Sequence, residues 1–160
     1  ALVNGGTKVR PTLLRQSGPQ RGARLISPET SAALRDMLRR VVTEGTASFG
    51  EVPGYRVGGK TGTADKPLPT GGYAVGKNIN TFASVFPADA PEYVLIVTMD
   101  EAMETSGPEP RRTAGWTAVP VAAQIIHRVA PLLGLEPGAP AASTGGVEPA
   151  RAAALTRSDG

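Results

Sequence analysis

The chain has 160 residues, with 17 Lys and Arg against 14 Asp and Glu, for a formal net charge of +3. That is one domain's worth of chain, long enough to bury a core. Its lack of cysteine excludes disulfides and thiolate metal sites. No stretch is long and apolar enough to span a bilayer, and no signal peptide is visible. The densest basic stretch, Arg10, Arg15, Arg21 and Arg24, has no aromatic within it and is broken by Gly and Pro. It reads as a solvated loop, and a nucleic-acid partner is not expected.

The opening, Ala1-Leu2-Val3-Asn4-Gly5-Gly6, reads as the end of a helix running into a turn. Residues 7–26 read as irregular, with short strand character around 9–14. A helix then starts at Ser27: Ser is a favoured N-cap, Pro28 fits the first helical position, and Glu29 complements the helix dipole. Leu34, Met37, Leu38, Val41 and Val42 give its apolar stripe, and Gly45 ends it. Residues 64–77, rich in Pro and Gly, read as a loop. Residues 79–86 and 93–99 read as two antiparallel strands joined by a short turn. The run Tyr93-Val94-Leu95-Ile96-Val97 is apolar on both faces, which predicts a strand covered on each side. A second helix is expected over 117–133, with Pro120 in its first turn and Gly134 just past its end. Val121, Ile125, Val129 and Leu132 are expected to face the sheet. Residues 136–160 are mostly Ala, Pro, Gly and Ser and read as a disordered tail. The predicted class is α+β, an antiparallel sheet covered by helices.

Residues 58–63 spell Gly-Gly-Lys-Thr-Gly-Thr and admit two readings. From Gly54 the chain fits the phosphate-loop pattern G-x-x-x-x-G-K-[ST]. That loop needs a buried strand before it and a helix starting at Lys-Thr, whereas Pro67, Pro69, Gly62, Gly71 and Gly72 leave no room for such a helix. From Lys60 the chain fits a Lys-Thr-Gly strand motif. In a regular strand Thr61 and Thr63 project to one face and Lys60 to the other. On a sheet edge, such a strand can pair with an extended substrate through its main chain; the plain alternative is a glycine-weakened edge strand without a role.

Together with Leu2-Val3-Asn4-Gly5-Gly6, Pro11-Thr12-Leu13-Leu14, Ile26-Ser27-Pro28-Glu29-Thr30, Val41-Val42-Thr43-Glu44-Gly45-Thr46, Val52-Pro53-Gly54-Tyr55-Arg56-Val57 and Phe86-Pro87-Ala88-Asp89, the Lys60 run resembles the C-terminal part of the transpeptidase domain of class B penicillin-binding proteins, of the cell-division type. The likeness covers residues 1–135 and implies the penicillin-binding/β-lactamase-like fold. It implies a serine D,D-transpeptidase whose nucleophile attacks the D-Ala-D-Ala end of a peptidoglycan stem peptide, or a β-lactam. Lys60 would support proton transfer near that nucleophile. Thr61 and Thr63 would hold the terminal carboxylate, with Gly62 between them, although strand alternation sets both opposite Lys60 and so asks for a local twist. The N–H of Thr63 would form half of the oxyanion hole. The resemblance implies no cofactor or metal. It implies stem peptide and β-lactams as ligands, divisome proteins as partners, and a periplasmic location through a membrane anchor of the parent protein.

The family's S-x-x-K and S-x-N motifs are absent from these 160 residues, so the chain is read as supplying the substrate-binding strand and lacking the nucleophile, inactive by itself. A non-catalytic penicillin-binding-like module and, less favoured, a phosphate-loop nucleotide binder are the alternatives. Where many relatives carry Tyr-Gly-Gly this chain has Thr113-Ala114-Gly115-Trp116, so an aromatic wall there falls to Trp116, which is otherwise read as packing. His127 reads as a helix-surface residue, Asp100, Glu101 and Glu104 as solvated acids, and Lys66 and Lys77 as facing water.

Overall fold

The computed structural model describes residues 1–18 and 21–138; the expected tail lies, from 139 onward, outside the described residues. Two short strands, β1 (Thr7–Val9) and β2 (Arg21–Arg24), pair as an antiparallel ribbon. Helix α1 (Pro28–Thr43) follows, then β3 (Gly58–Pro67), β4 (Tyr73–Phe86), β5 (Tyr93–Asp100) and α2 (Ala118–Val129). The last three strands form one antiparallel sheet in the order β3-β4-β5.

Helix α1 begins as its sequence dictates. Ser27 is the N-cap, and its hydroxyl accepts the Thr30 N–H at 3.1 Å, with Pro28 in the first turn. The helix packs over the start of β3, where side chains are absent: a Cβ on Gly58 would lie 3.2 Å from the Arg39 backbone nitrogen. Arg39 fastens the junction. Its guanidinium grips both oxygens of Glu51 at 2.6 and 2.7 Å and also donates to the Val57 carbonyl at 2.8 Å. Val42 is buried, but Met37, expected in the stripe, is 60% exposed, because α1 covers only the β3 end of the sheet.

The other sheet face is covered by α2, and the core lies between them: Phe82 from β4 meets Val119, Ala122 and Ile126. Here the expected helical phase is wrong. The buried positions are Ala118, Val119, Ala122 and Ile126, whereas Ile125 and Val129 are half-buried, Val121 is 36% exposed, and Leu132 lies beyond the helix and is exposed. Alanines line the contact, and they let the helix approach a sheet whose face already carries the Phe82 ring.

Three further expectations change. The opening residues form turns and not a helix end, and the strand character expected at 9–14 falls instead on β1 and β2. The expected loop 64–77 is mostly sheet, since β3 runs to Pro67 and β4 starts at Tyr73, with Gly71 and Gly72 at positive φ in the turn between. Strand β5 has one covered face: Leu95 and Val97 pack on the core, while Val94 and Ile96 are exposed.

Candidate active site

Strand β3 is regular from Gly58 to Asp65, with a register shift only between Asp65 and Pro67. No local twist brings Lys60 and the threonines together. Thr61 stands opposite Phe82 and Thr63 opposite Asn80, so both share the α2 face of the sheet, while Lys60 and Gly62 share the other. Gly59 lies on the crowded face, where a Cβ would come within 2.6 Å of the Phe82 ring. No helix starts at Lys60-Thr61, so the phosphate-loop geometry is not formed.

Each threonine hydroxyl is held by a different part of the chain. Thr61 Oγ1 lies 2.8 Å from Thr46 Oγ1, in the segment after α1. Thr63 Oγ1 donates to Asn80 Oδ1 at 3.1 Å and accepts the Ala114 N–H at 3.0 Å, just before α2. These segments enclose a groove of about 490 Å³ whose walls include Thr46, Phe49, Thr61, Thr63, Ala114 and Trp116. Phe49 and Trp116 meet with ring centroids 4.8 Å apart, and the Arg111 guanidinium sits 3.8 Å from the Trp116 ring centroid. Arg111 in turn lies 3.6 Å from Glu104, whose carboxyl is held below its ordinary range first by its hydrogen bonds with Ser106 and then by the Arg111 charge. Trp116 is thus a wall of the groove as well as a packing residue.

Lys60 is exposed on the opposite face, and its Nζ donates to the Thr61 carbonyl at 2.7 Å. That carbonyl therefore lies on the free edge of β3. Backbone groups alternate edges residue by residue, so the Thr63 N–H is presented to the same edge.

Of the residues singled out from sequence, Thr61 and Thr63 come together at the groove, while Lys60 and Gly62 lie across the strand from it. The sequence reading missed Thr46, Phe49 and Asn80 as parts of the site. Their contacts are made across long sequence separations, which no local pattern announces. Lys66 does not simply face water: it bonds Asp100 at 2.9 Å and Glu101 at 2.8 Å, and Lys77 lies 3.6 Å from Glu101. His127 is exposed on α2.

The family model described as penicillin binding protein transpeptidase domain matches residues 1–127. The chain belongs to the penicillin-binding-protein transpeptidase family. It is 36% identical over 147 residues to a probable peptidoglycan D,D-transpeptidase FtsI of Caulobacter vibrioides, covering 85% of this chain and 25% of that protein. It is likewise 36% identical to the stage V sporulation protein D of Bacillus subtilis, covering 86% of this chain and 22% of that protein. The chain thus spans about a quarter of the length of these curated relatives. Among solved structures, it is similar to the ligand-free transpeptidase domain of penicillin-binding protein 3 from Burkholderia pseudomallei, with a TM-score of 0.73 and 33% identity over 87% of this chain and 41% of that one. It is also similar to penicillin-binding protein 3 of Mycobacterium tuberculosis complexed with ampicillin, with a TM-score of 0.69 and 26% identity over 89% of this chain and 34% of that one. These relatives make it a class B, FtsI-like member with the α+β transpeptidase fold.

Proposed function

We propose that this chain supplies the substrate-binding strand of a serine D,D-transpeptidase that cross-links peptidoglycan stem peptides during septal wall synthesis. The observation that carries the reading is the pair of hydroxyls on one face of β3, Thr61 and Thr63, each fixed by a separate segment at the wall of a single groove. Two such hydroxyls suit a carboxylate, the terminal group of D-Ala-D-Ala or of a β-lactam.

The nucleophile lies outside these residues. Its serine Oγ attacks the carbonyl of the penultimate D-Ala, and the terminal D-Ala departs with a proton on its amine. The acyl-enzyme is then resolved by an amine of a neighbouring stem peptide. The Thr63 N–H, on the open edge of β3, donates to the oxyanion formed in each step. Lys60 supplies positive charge from the other face of the strand and eases proton transfer to and from the serine. An extended stem peptide pairs along that same edge. The protein acts at the cell envelope, on the periplasmic face of the membrane, beside other division proteins.

The test is intact-mass analysis of the full-length protein after exposure to benzylpenicillin. One covalent adduct, mapping to a serine of an S-x-x-K motif outside residues 1–160, is the expected result. A folded, full-length protein that takes no adduct would make the chain part of a non-catalytic module with the same fold.

A further inference from the structure

The Thr63 hydroxyl has the wrong polarity for the ligand assigned to it. A threonine oxygen has one proton to give and two lone pairs that accept. Here the proton goes inward to Asn80 Oδ1 at 3.1 Å, and one lone pair takes the Ala114 N–H at 3.0 Å. What remains toward the groove is an acceptor, and an ionised carboxylate is also acceptor-only. In this state Thr63 offers an anion nothing.

Its partner can reverse that polarity. Asn80 stands directly across the strand pair from Thr63, is fully buried, and gives its Nδ2 to Asn78 Oδ1 at 3.3 Å. The oxygen and nitrogen of an amide have nearly the same size, so a half-turn about Cβ–Cγ exchanges them without disturbing the packing. After that turn Asn80 Nδ2 donates to Thr63 Oγ1. With Ala114 N–H and Asn80 both donating to it, the hydroxyl can send its own proton only into the groove. Asn80 Oδ1 then faces Asn78, whose amide must turn as well to present Nδ2.

We propose that Asn78 and Asn80 form a coupled amide relay that sets the donor direction of the Thr63 hydroxyl and turns over when the anionic end of an acyl donor enters the groove. Asn80 is a positioning residue acting through Thr63. The inference rests on the reading of Thr63 as a carboxylate-holding residue.

The experiment compares acylation rates of the full-length protein by benzylpenicillin and by its methyl ester, which lacks the anion but keeps the reacting ring. Asn80→Asp offers Thr63 acceptors only and pins its proton inward. The acid-to-ester rate ratio is expected to fall about 10- to 100-fold, the range for losing a hydrogen bond to a charged group. The ester rate itself reports that the variant is folded. In a Thr63→Val background only the direct repulsion of the new charge remains, so the same Asn80→Asp change is expected to lower the ratio markedly less than with Thr63 present. Asn80→Leu, which removes the inward acceptor, is expected to keep the wild-type ratio. An equal fall in both backgrounds, no fall in either, or a comparable fall in Asn80→Leu overturns the relay. A wild-type protein that takes acid and ester at the same rate instead overturns the reading of Thr63 as carboxylate holder.

Discussion

The two faces of β3 carry opposite kinds of site. Toward α2, the Thr61 and Thr63 hydroxyls are tied to Thr46, Asn80 and Ala114, so their positions are set by three other parts of the chain. On the other face Lys60 is exposed, and its ammonium reaches back to a carbonyl of its own strand. Partners distant in sequence fix where a group stands, whereas one folded back on its own strand is free to be recruited. Under the proposed function, the hydroxyl half of the site is built by this chain, and the exposed lysine half is the one a serine nucleophile would meet.

Substitutions on the two faces should separate chemistry from stability. The largest effect is expected from Lys60→Met in the full-length protein. Acylation by benzylpenicillin should slow about 10²- to 10³-fold, as for loss of a group that stabilises developing charge, with an unchanged melting temperature. Equal slowing and melting loss would make Lys60 a structural residue. On the groove face the order reverses. Gly59→Ala sets a Cβ within 2.6 Å of the Phe82 ring and 2.7 Å of the Ala83 carbonyl, and should destabilise the fold by about 1–3 kcal/mol in urea titration. Gly62→Ala, whose nearest neighbour is 3.9 Å away, should leave the urea midpoint unchanged. A matching loss at both glycines would contradict the crowding that Gly59 meets and Gly62 does not.

Smaller still is Thr46→Val, which strips Thr61 of its hydroxyl partner and should cost about 0.5–1.5 kcal/mol, read as a shifted urea midpoint. The smallest effect lies at the far end of the sheet. Lys66 is raised above its ordinary range by its hydrogen bonds to Asp100 and Glu101, and Glu101 is lowered by its bond from Lys66. The depressed carboxyl stabilises the fold above the ordinary glutamate range and loses that contribution as pH falls through its lowered value. The raised ammonium contributes below the ordinary lysine range and loses it only as pH climbs through its raised value. The melting difference between wild type and Lys66→Met should therefore be flat around neutral pH and shrink in acid. A difference that grows on acidification would contradict the pairing.

Much of this was legible in the residues. Ser27, Pro28 and Glu29 announce α1 because capping is local chemistry, and the alternation of Lys60 with Thr61 and Thr63 follows from strand geometry alone. What stayed hidden depends on partners. Pro67 and Gly71 read as a loop, yet pairing continues to Pro67 opposite Tyr73, since the cross-strand partner decides whether such residues extend a sheet. The buried face of α2 was assigned one phase off: it carries Val119 and Ile126 together with Ala118 and Ala122, whose small size makes room for the Phe82 ring. Nothing in the local sequence singles out Asn80; only its place opposite Thr63 gives it a task.

The most direct measurement is a crystal structure of the full-length protein acylated by benzylpenicillin. The penicillin carboxylate is expected in the groove on the α2 face, within about 3 Å of the Thr61 and Thr63 hydroxyls. Lys60 is expected to have turned from the Thr61 carbonyl toward the acylated serine. A carboxylate bound instead by Arg111 beside Trp116, with both threonines still bonded only to Thr46, Asn80 and Ala114, would contradict this arrangement.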